Sequence, residues 1–177
     1  AMSPAFRQYS TLLSIMDYTY YLAFLGIGVT FCLITGGVDL SIGTGMFCYA
    51  LIGGYLINYV HTPVIVGILA TVVCGLIAGT VNGLIVSRGG HAPFLATLCM
   101  MMILRGLGAL VTGGASITWP GATAPNGWTR TLFKMDMGGT KVPLGFLWVL
   151  ILAVVMSIFL NRSRPGRYII AIGSNKE

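Results

Sequence analysis

Residues 63–86 read PVIVGILATVVCGLIAGTVNGLIV, without a single charged side chain. About 20 apolar residues wound as a helix cross the hydrocarbon core of a bilayer, and this run exceeds that length. Working outward, residues 18–36 and 43–60 before it and residues 93–112 and 143–160 after it read the same way. Pro63, Pro93 and Pro143 stand at the starts of three of these runs, where the missing amide hydrogen is tolerated. The expected fold is an all-α polytopic transmembrane helical bundle of about five spans, forming a single domain over residues 1–177. Residues 1–17 carry Phe6, Tyr9, Leu12, Leu13 and Met16 on a rough helical stripe, which predicts a short interfacial helix leading into the first span.

Composition supports a membrane protein. Of 177 residues, 56% are hydrophobic and 8% charged, against about 25% charged in an average soluble domain, and the mean hydropathy is +0.89. These values exclude a soluble globular enzyme and a disordered tail. The net charge of +6 is spread over short gaps between apolar runs, not clustered on one face as nucleic-acid binding requires. Cys32, Cys48, Cys74 and Cys99 each lie inside an apolar run. No CxxC or Cys/His spacing predicts a metal site, and His61 and His91 read as loop residues. No nucleophile–base pair and no GxxxxGK[ST] loop is present, so neither catalytic residues nor a cofactor is expected.

Loop charges set the orientation. Arg162, Arg164, Arg167 and Lys176 follow the last span, and Arg88 lies two crossings earlier. Placing both inside puts residues 113–142 and the N-terminus outside. No cleavable signal is visible at the start, and an outside N-terminus then points to a preceding span.

Four segments carry further information. TGGVDLSIG, residues 35–43, joins two spans. It is either a tight turn capped by Asp39 or Ser41, or a broken helix at membrane depth that lines a translocation path. Gly36, Gly37, Asp39 and Ser41 are its candidates, with Arg105 inside the fourth span. Gly75, Gly79 and Gly83 are spaced four apart, which predicts a close helix-packing seam, with Asn82 able to hydrogen-bond across it. Residues 113–142 form a long outer loop with Trp119, Asn126 and Trp128, an interfacial aromatic belt or a docking surface. The arginine-rich tail follows the last span.

TGGVDLSIG, HAPFLATLCMMMILRG (residues 91–106) and RPGRYIIAIGSNKE (residues 164–177), in this order, resemble the permease subunits of ribose-type sugar ABC importers over nearly the whole chain. The resemblance marks Gly36, Gly37, Asp39, Ser41 and Gly43, then Pro93, Thr97, Arg105 and Gly106, then Gly166, Arg167, Tyr168, Gly173, Asn175 and Glu177. Pro165, where the family usually has a large apolar residue, and Cys99, where a glycine is common, depart from it. Family permeases are nearly twice as long, so the expectation is the N-proximal part of a larger subunit.

The resemblance implies a multi-pass protein of the cell inner membrane that pairs with a second permease subunit. It implies an extracytoplasmic sugar-binding protein outside, for which Trp119, Asn126 and Trp128 are docking candidates. It implies ATP-binding subunits inside, for which Arg164, Gly166, Arg167, Tyr168, Gly173, Asn175 and Glu177 are contact candidates, with ATP hydrolysis on those partners. The alternative is an ion-coupled secondary transporter or a channel-like protein. Ion coupling usually uses carboxylates within spans, and only Asp39 qualifies here.

Overall fold

A computed structural model describes residues 8–121, 124, 127–137 and 140–174. The chain divides into two compact units, Gly37–Pro120 and the two segments that flank it in sequence. We call them the middle and the flanking unit.

The middle unit holds α2 (Ser41–Asn58), α3 (Val64–Ser87) and α4 (Pro93–Thr112). Pro93 is the first residue of α4, where its fixed φ favours the helix start. Gly113 and Gly114 end α4 with φ of 60° and 80°, and Gly114 N–H donates to the Ala109 carbonyl at 3.0 Å. That left-handed exit favours glycine over any residue with a Cβ. Ser41 meets Asn82 and Gly53 meets Gly67, so α3 runs antiparallel to α2. Val38 meets Thr97 and Cys48 meets Gly108, so α4 runs parallel to it. Cys48, Met100 and Leu104 form the core between α2 and α4, with Tyr49 and Ile52 against them.

Among the described residues four helices are long and apolar enough to cross a membrane: α1, α3, α4 and α6. The remaining apolar run of the sequence, residues 43–60, falls on α2. Helix α2 has the same 18 residues as α6, but it carries Gly43, Gly45, Gly53 and Gly54 with Ser41, Thr44 and Asn58. It packs on both α3 and α4, so small and hydroxylated residues stand where a lipid-facing helix needs bulky apolar ones. Ser41, Gly45, Cys48, Gly53, Gly54 and Ile57 are buried.

The flanking unit holds α1 (Tyr9–Ile34), α5 (Trp128–Phe133), β1 (Lys134–Met137), β2 (Thr140–Pro143), α6 (Gly145–Arg162) and α7 (Arg164–Ser174). Tyr9 through Asp17 belong to one continuous α1, which replaces the predicted interfacial helix over its described part. Gly145 starts α6 beneath the Tyr20 ring, where a Cβ would come within 2.6 Å. Phe31 and Phe159 meet further along, centroids 6.3 Å apart, so α6 runs parallel to α1. Within residues 113–142 the described residues include α5 and two strands. Strands β1 and β2 pair antiparallel, Lys134 opposite Pro143. Phe133 stacks on Tyr20 at 6.1 Å, Lys134 pairs with Asp17, and Trp148 Nε1–H donates to the Leu132 carbonyl at 2.9 Å.

Candidate functional site

The TGGVDLSIG segment turns at Gly36, whose φ of 76° lies in the left-handed region open to glycine. Asp39 Oδ1 then accepts from the Ser41 backbone N–H at 2.8 Å and from Ser41 Oγ at 2.6 Å. This satisfies one of the free donors at the start of α2 and sets a negative charge on the positive end of its dipole. Ser41 Oγ in turn accepts from Asn82 Nδ2 at 3.0 Å, which ties α2 to α3. From the other side Thr97 Oγ1 reaches the Val38 carbonyl at 3.3 Å. Ser41, Asn82 and Thr97 are 4%, 6% and 3% exposed. Among the described residues Asn82 Oδ1 is buried without a partner.

The cap is recessed. Asn82 lies five residues before the end of α3 and Thr97 four residues after the start of α4. At about 1.5 Å per residue, Ser41 begins α2 about 6–8 Å inside the ends of its neighbours. Asp39 thus bonds a helix start that lies inside the ends of its neighbours. Among the described residues Asp39 and Arg105 do not pair. Asp39 Oδ1 holds Ser41, and Arg105 stands eight residues beyond Thr97 on α4, about 12 Å along the axis.

The glycine stripe on α3 is corrected. A Cβ at Gly79 or Gly83 meets nothing within 4 Å, and one at Gly75 makes ordinary contact with the Tyr49 ring at 3.6 Å. The close approach lies elsewhere. A Cβ at Gly67 would meet the Gly53 carbonyl oxygen at 2.9 Å, and one at Gly53 the Gly67 carbonyl oxygen at 2.7 Å. Thr71 Oγ1 bridges to the Tyr49 carbonyl at 3.2 Å, and Ala78 and Asn82 complete the buried stripe. Sequence reasoning missed Gly53 and Gly67; the adjacent pair Gly53-Gly54 inside an apolar run was the available signal.

Trp119 is likewise placed differently from the docking expectation. Its indole lies over Gly53 and Gly54 and its Nε1–H donates to the Ala50 carbonyl at 3.0 Å. Beside it Asn58 Nδ2 donates to the Thr118 carbonyl at 2.8 Å. The two small glycines leave room for a large ring, so Trp119 anchors its own segment on α2. Trp128 is exposed on α5, and Asn126 lies outside the described residues.

The tail forms α7, a helix that the sequence reading did not anticipate. Ser163 Oγ accepts from Gly166 N–H at 3.0 Å, a serine N-cap with Pro165 in the first turn. Gly166 is buried against the Phe159 and Leu160 backbone, and Gly173 abuts the Ile34 carbonyl, so these two glycines serve packing in their own unit. Arg164, Arg167 and Tyr168 are exposed. Asn175 and Glu177 lie outside the described residues.

Residues 11–177 match a family described as the branched-chain amino acid transport system / permease component. The ribose import permease protein RbsC of Escherichia coli (strain K12) is 29% identical over 179 residues, covering 99% of this chain and 53% of its own length. RbsC of Bacillus subtilis (strain 168) is 31% identical with the same coverage of 99% and 53%. The fructose import permease protein FruG of Bifidobacterium longum (strain NCC 2705) is 29% identical, covering 88% of this chain and 46% of its own. The chain spans about half the length of these curated relatives. No solved structure matches it.

Proposed function

We propose, on the premise that the chain belongs to the family of branched-chain amino acid transport system permease components, that it forms part of the membrane-spanning subunit of an ATP-driven monosaccharide importer. The observation that carries this reading is the set of relatives named as ribose and fructose import permeases, matched over 88–99% of this chain. In this reading the subunit lies in the cell inner membrane, pairs with a second permease subunit, and receives sugar from an extracytoplasmic binding protein. ATP hydrolysis belongs to separate subunits inside.

The recessed start of α2 supports a path through the middle unit. Irregular backbone at membrane depth is tolerated where it lines a cavity or is buried in protein, and discontinuous helices form such sites in transporters. Gly36, Gly37, Asp39, Ser41 and Arg105 are the path residues on this account. The exposed Arg164, Arg167 and Tyr168 of α7 offer a basic, partly aromatic face to the ATP-binding subunits, and Trp128 an aromatic one to the binding protein.

The test is uptake of labelled ribose, fructose and galactose into vesicles carrying the full-length subunit and its partners. Uptake that requires ATP inside and the binding protein outside supports the importer. Uptake driven by an ion gradient without ATP sinks it in favour of a secondary transporter.

A further inference from the structure

One cleft in the middle unit is walled mostly by apolar side chains and carries two polar ones that no other described residue engages. It measures about 290 Å³ and lies between α2 and α4, lined by Thr44, Phe47, Cys48, Leu104, Arg105 and Gly108. Two of these side chains carry unspent hydrogen-bonding capacity. Arg105 makes no hydrogen bond or ion pair among the described residues. Thr44 makes none either, although Thr19, Thr30, Thr80 and Thr112 each donate to the carbonyl four residues back. Phe47 presents a ring that is 67% exposed. A guanidinium brings five N–H donors in a planar fork, and a charge at this depth is unfavourable until something pairs with it. Lipid tails offer nothing. A second copy of the middle unit offers no free acid, because its single carboxylate, Asp39, is bonded to Ser41.

We propose that this cleft is a sugar-binding subsite for a neutral monosaccharide in transit, an assignment that rests on the importer reading above. Ring hydroxyl oxygens accept from Arg105, a further hydroxyl bonds Thr44 Oγ1, and the C–H face of the ring lies on Phe47. The size fits, since small-ligand pockets begin at about 300 Å³. The single cation between apolar walls suits a neutral polyol better than an anion. A desolvated carboxylate or phosphate paired with Arg105 is hard to separate again, whereas passage needs a site that also releases.

The experiment uses the full-length subunit with its ATP-binding and sugar-binding partners in proteoliposomes. Thr44→Cys, on a background with alanine at Cys32, Cys48, Cys74 and Cys99, is labelled with a methanethiosulfonate reagent. Labelling is followed with and without saturating D-ribose, D-fructose or D-galactose. The transported sugar slows labelling of Thr44→Cys about tenfold, the scale of a hydrogen bond to a charged group, and leaves Gly79→Cys, on the open side of α3, unchanged. Arg105→Gln raises the uptake KM about tenfold with Vmax and melting little changed, and Phe47→Leu raises it less. A sugar that is transported without protecting Thr44→Cys overturns the subsite. So does protection by inorganic phosphate or acetate in place of sugar, and so does an Arg105→Gln variant that lowers melting and Vmax at constant KM. Absence of ATP-driven uptake of all three sugars by the unmodified assembly overturns the importer reading itself, before any variant is made.

Discussion

At its first turn α2 meets its neighbours through hydroxyl and amide groups, with Ser41, Asn82 and Thr97 all buried. About three turns on it meets α3 through bare backbone, Gly53 against Gly67, with the Trp119 ring laid over the glycines. The second end is close-packed, and the Trp119 indole and Thr71 hydroxyl there have carbonyl partners, while Thr62 Oγ1 in the turn beyond is buried without one among the described residues. The first end leaves Asn82 Oδ1 unpartnered and begins below the ends of α3 and α4. Tight backbone packing tolerates no added atom, whereas hydrogen bonds between side chains in a membrane are modest and exchangeable. The difference predicts a fixed pivot at the Gly53 end and hydrogen bonds that cost little to break at the Ser41 end.

The largest effect expected from breaking this contrast comes from Gly53→Leu. Overpacking costs about 1–3 kcal/mol, and this site stands at the top of that range because the facing atom is the Gly67 carbonyl oxygen at 2.7 Å. Melting of the purified subunit in detergent should fall by many degrees. A melting temperature equal to the unmodified protein's would remove the pivot.

Asn82→Ala should have a smaller effect. It deletes one bond to Ser41 Oγ but also removes an unpartnered acceptor, so a loss of about 1 kcal/mol is expected. A cycle of Ser41→Ala and Asn82→Ala, read by melting, should show coupling of about 0.6–1.7 kcal/mol. Strict additivity would mean that the bond contributes nothing.

Asp39 sharpens the same end. Asp39→Ala should cost about 1 kcal/mol as a lost cap, and Asp39→Asn only a few tenths, because asparagine caps nearly as well. Equal, large losses for both would point to a partner for the charge beyond Ser41. The smallest effect belongs to Gly79→Leu. With open space at its Cβ position, the change should stay within about 0.5 kcal/mol in the same melting assay. A drop matching that of Gly53→Leu would restore the seam that the glycine spacing suggested.

The α3 glycines show where sequence reading reached its limit. Spacing of four identifies residues that share a helix face, and Gly75, Gly79 and Gly83 do share one. Which face meets α2 depends on the rotation of α3, and no local pattern encodes that. The buried stripe, Gly67, Thr71, Ala78 and Asn82, runs beside the predicted one. Trp119 illustrates a second limit. A tryptophan after a span reads as an interfacial anchor, and only the juxtaposition with Gly53-Gly54 reveals a seat for the ring. Helix α7 and the β1–β2 hairpin were missed because a few residues of capping and alternation carry little signal beside long apolar runs.

The sequence by itself determined that the chain is helical and membrane-bound and which family it resembles. Hydrophobicity and helix-breaking residues act locally, so twenty consecutive apolar side chains specify a span whatever packs beside it. Only the tertiary structure decided that α2 is an inner helix starting below the ends of its neighbours. It also decided that Asp39 bonds Ser41, that Arg105 has no partner among the described residues, and that Thr44 and Arg105 line one cleft. Those relations join residues on different helices. They follow from helix rotation and axial offset, which arise when side chains far apart in the chain are packed together.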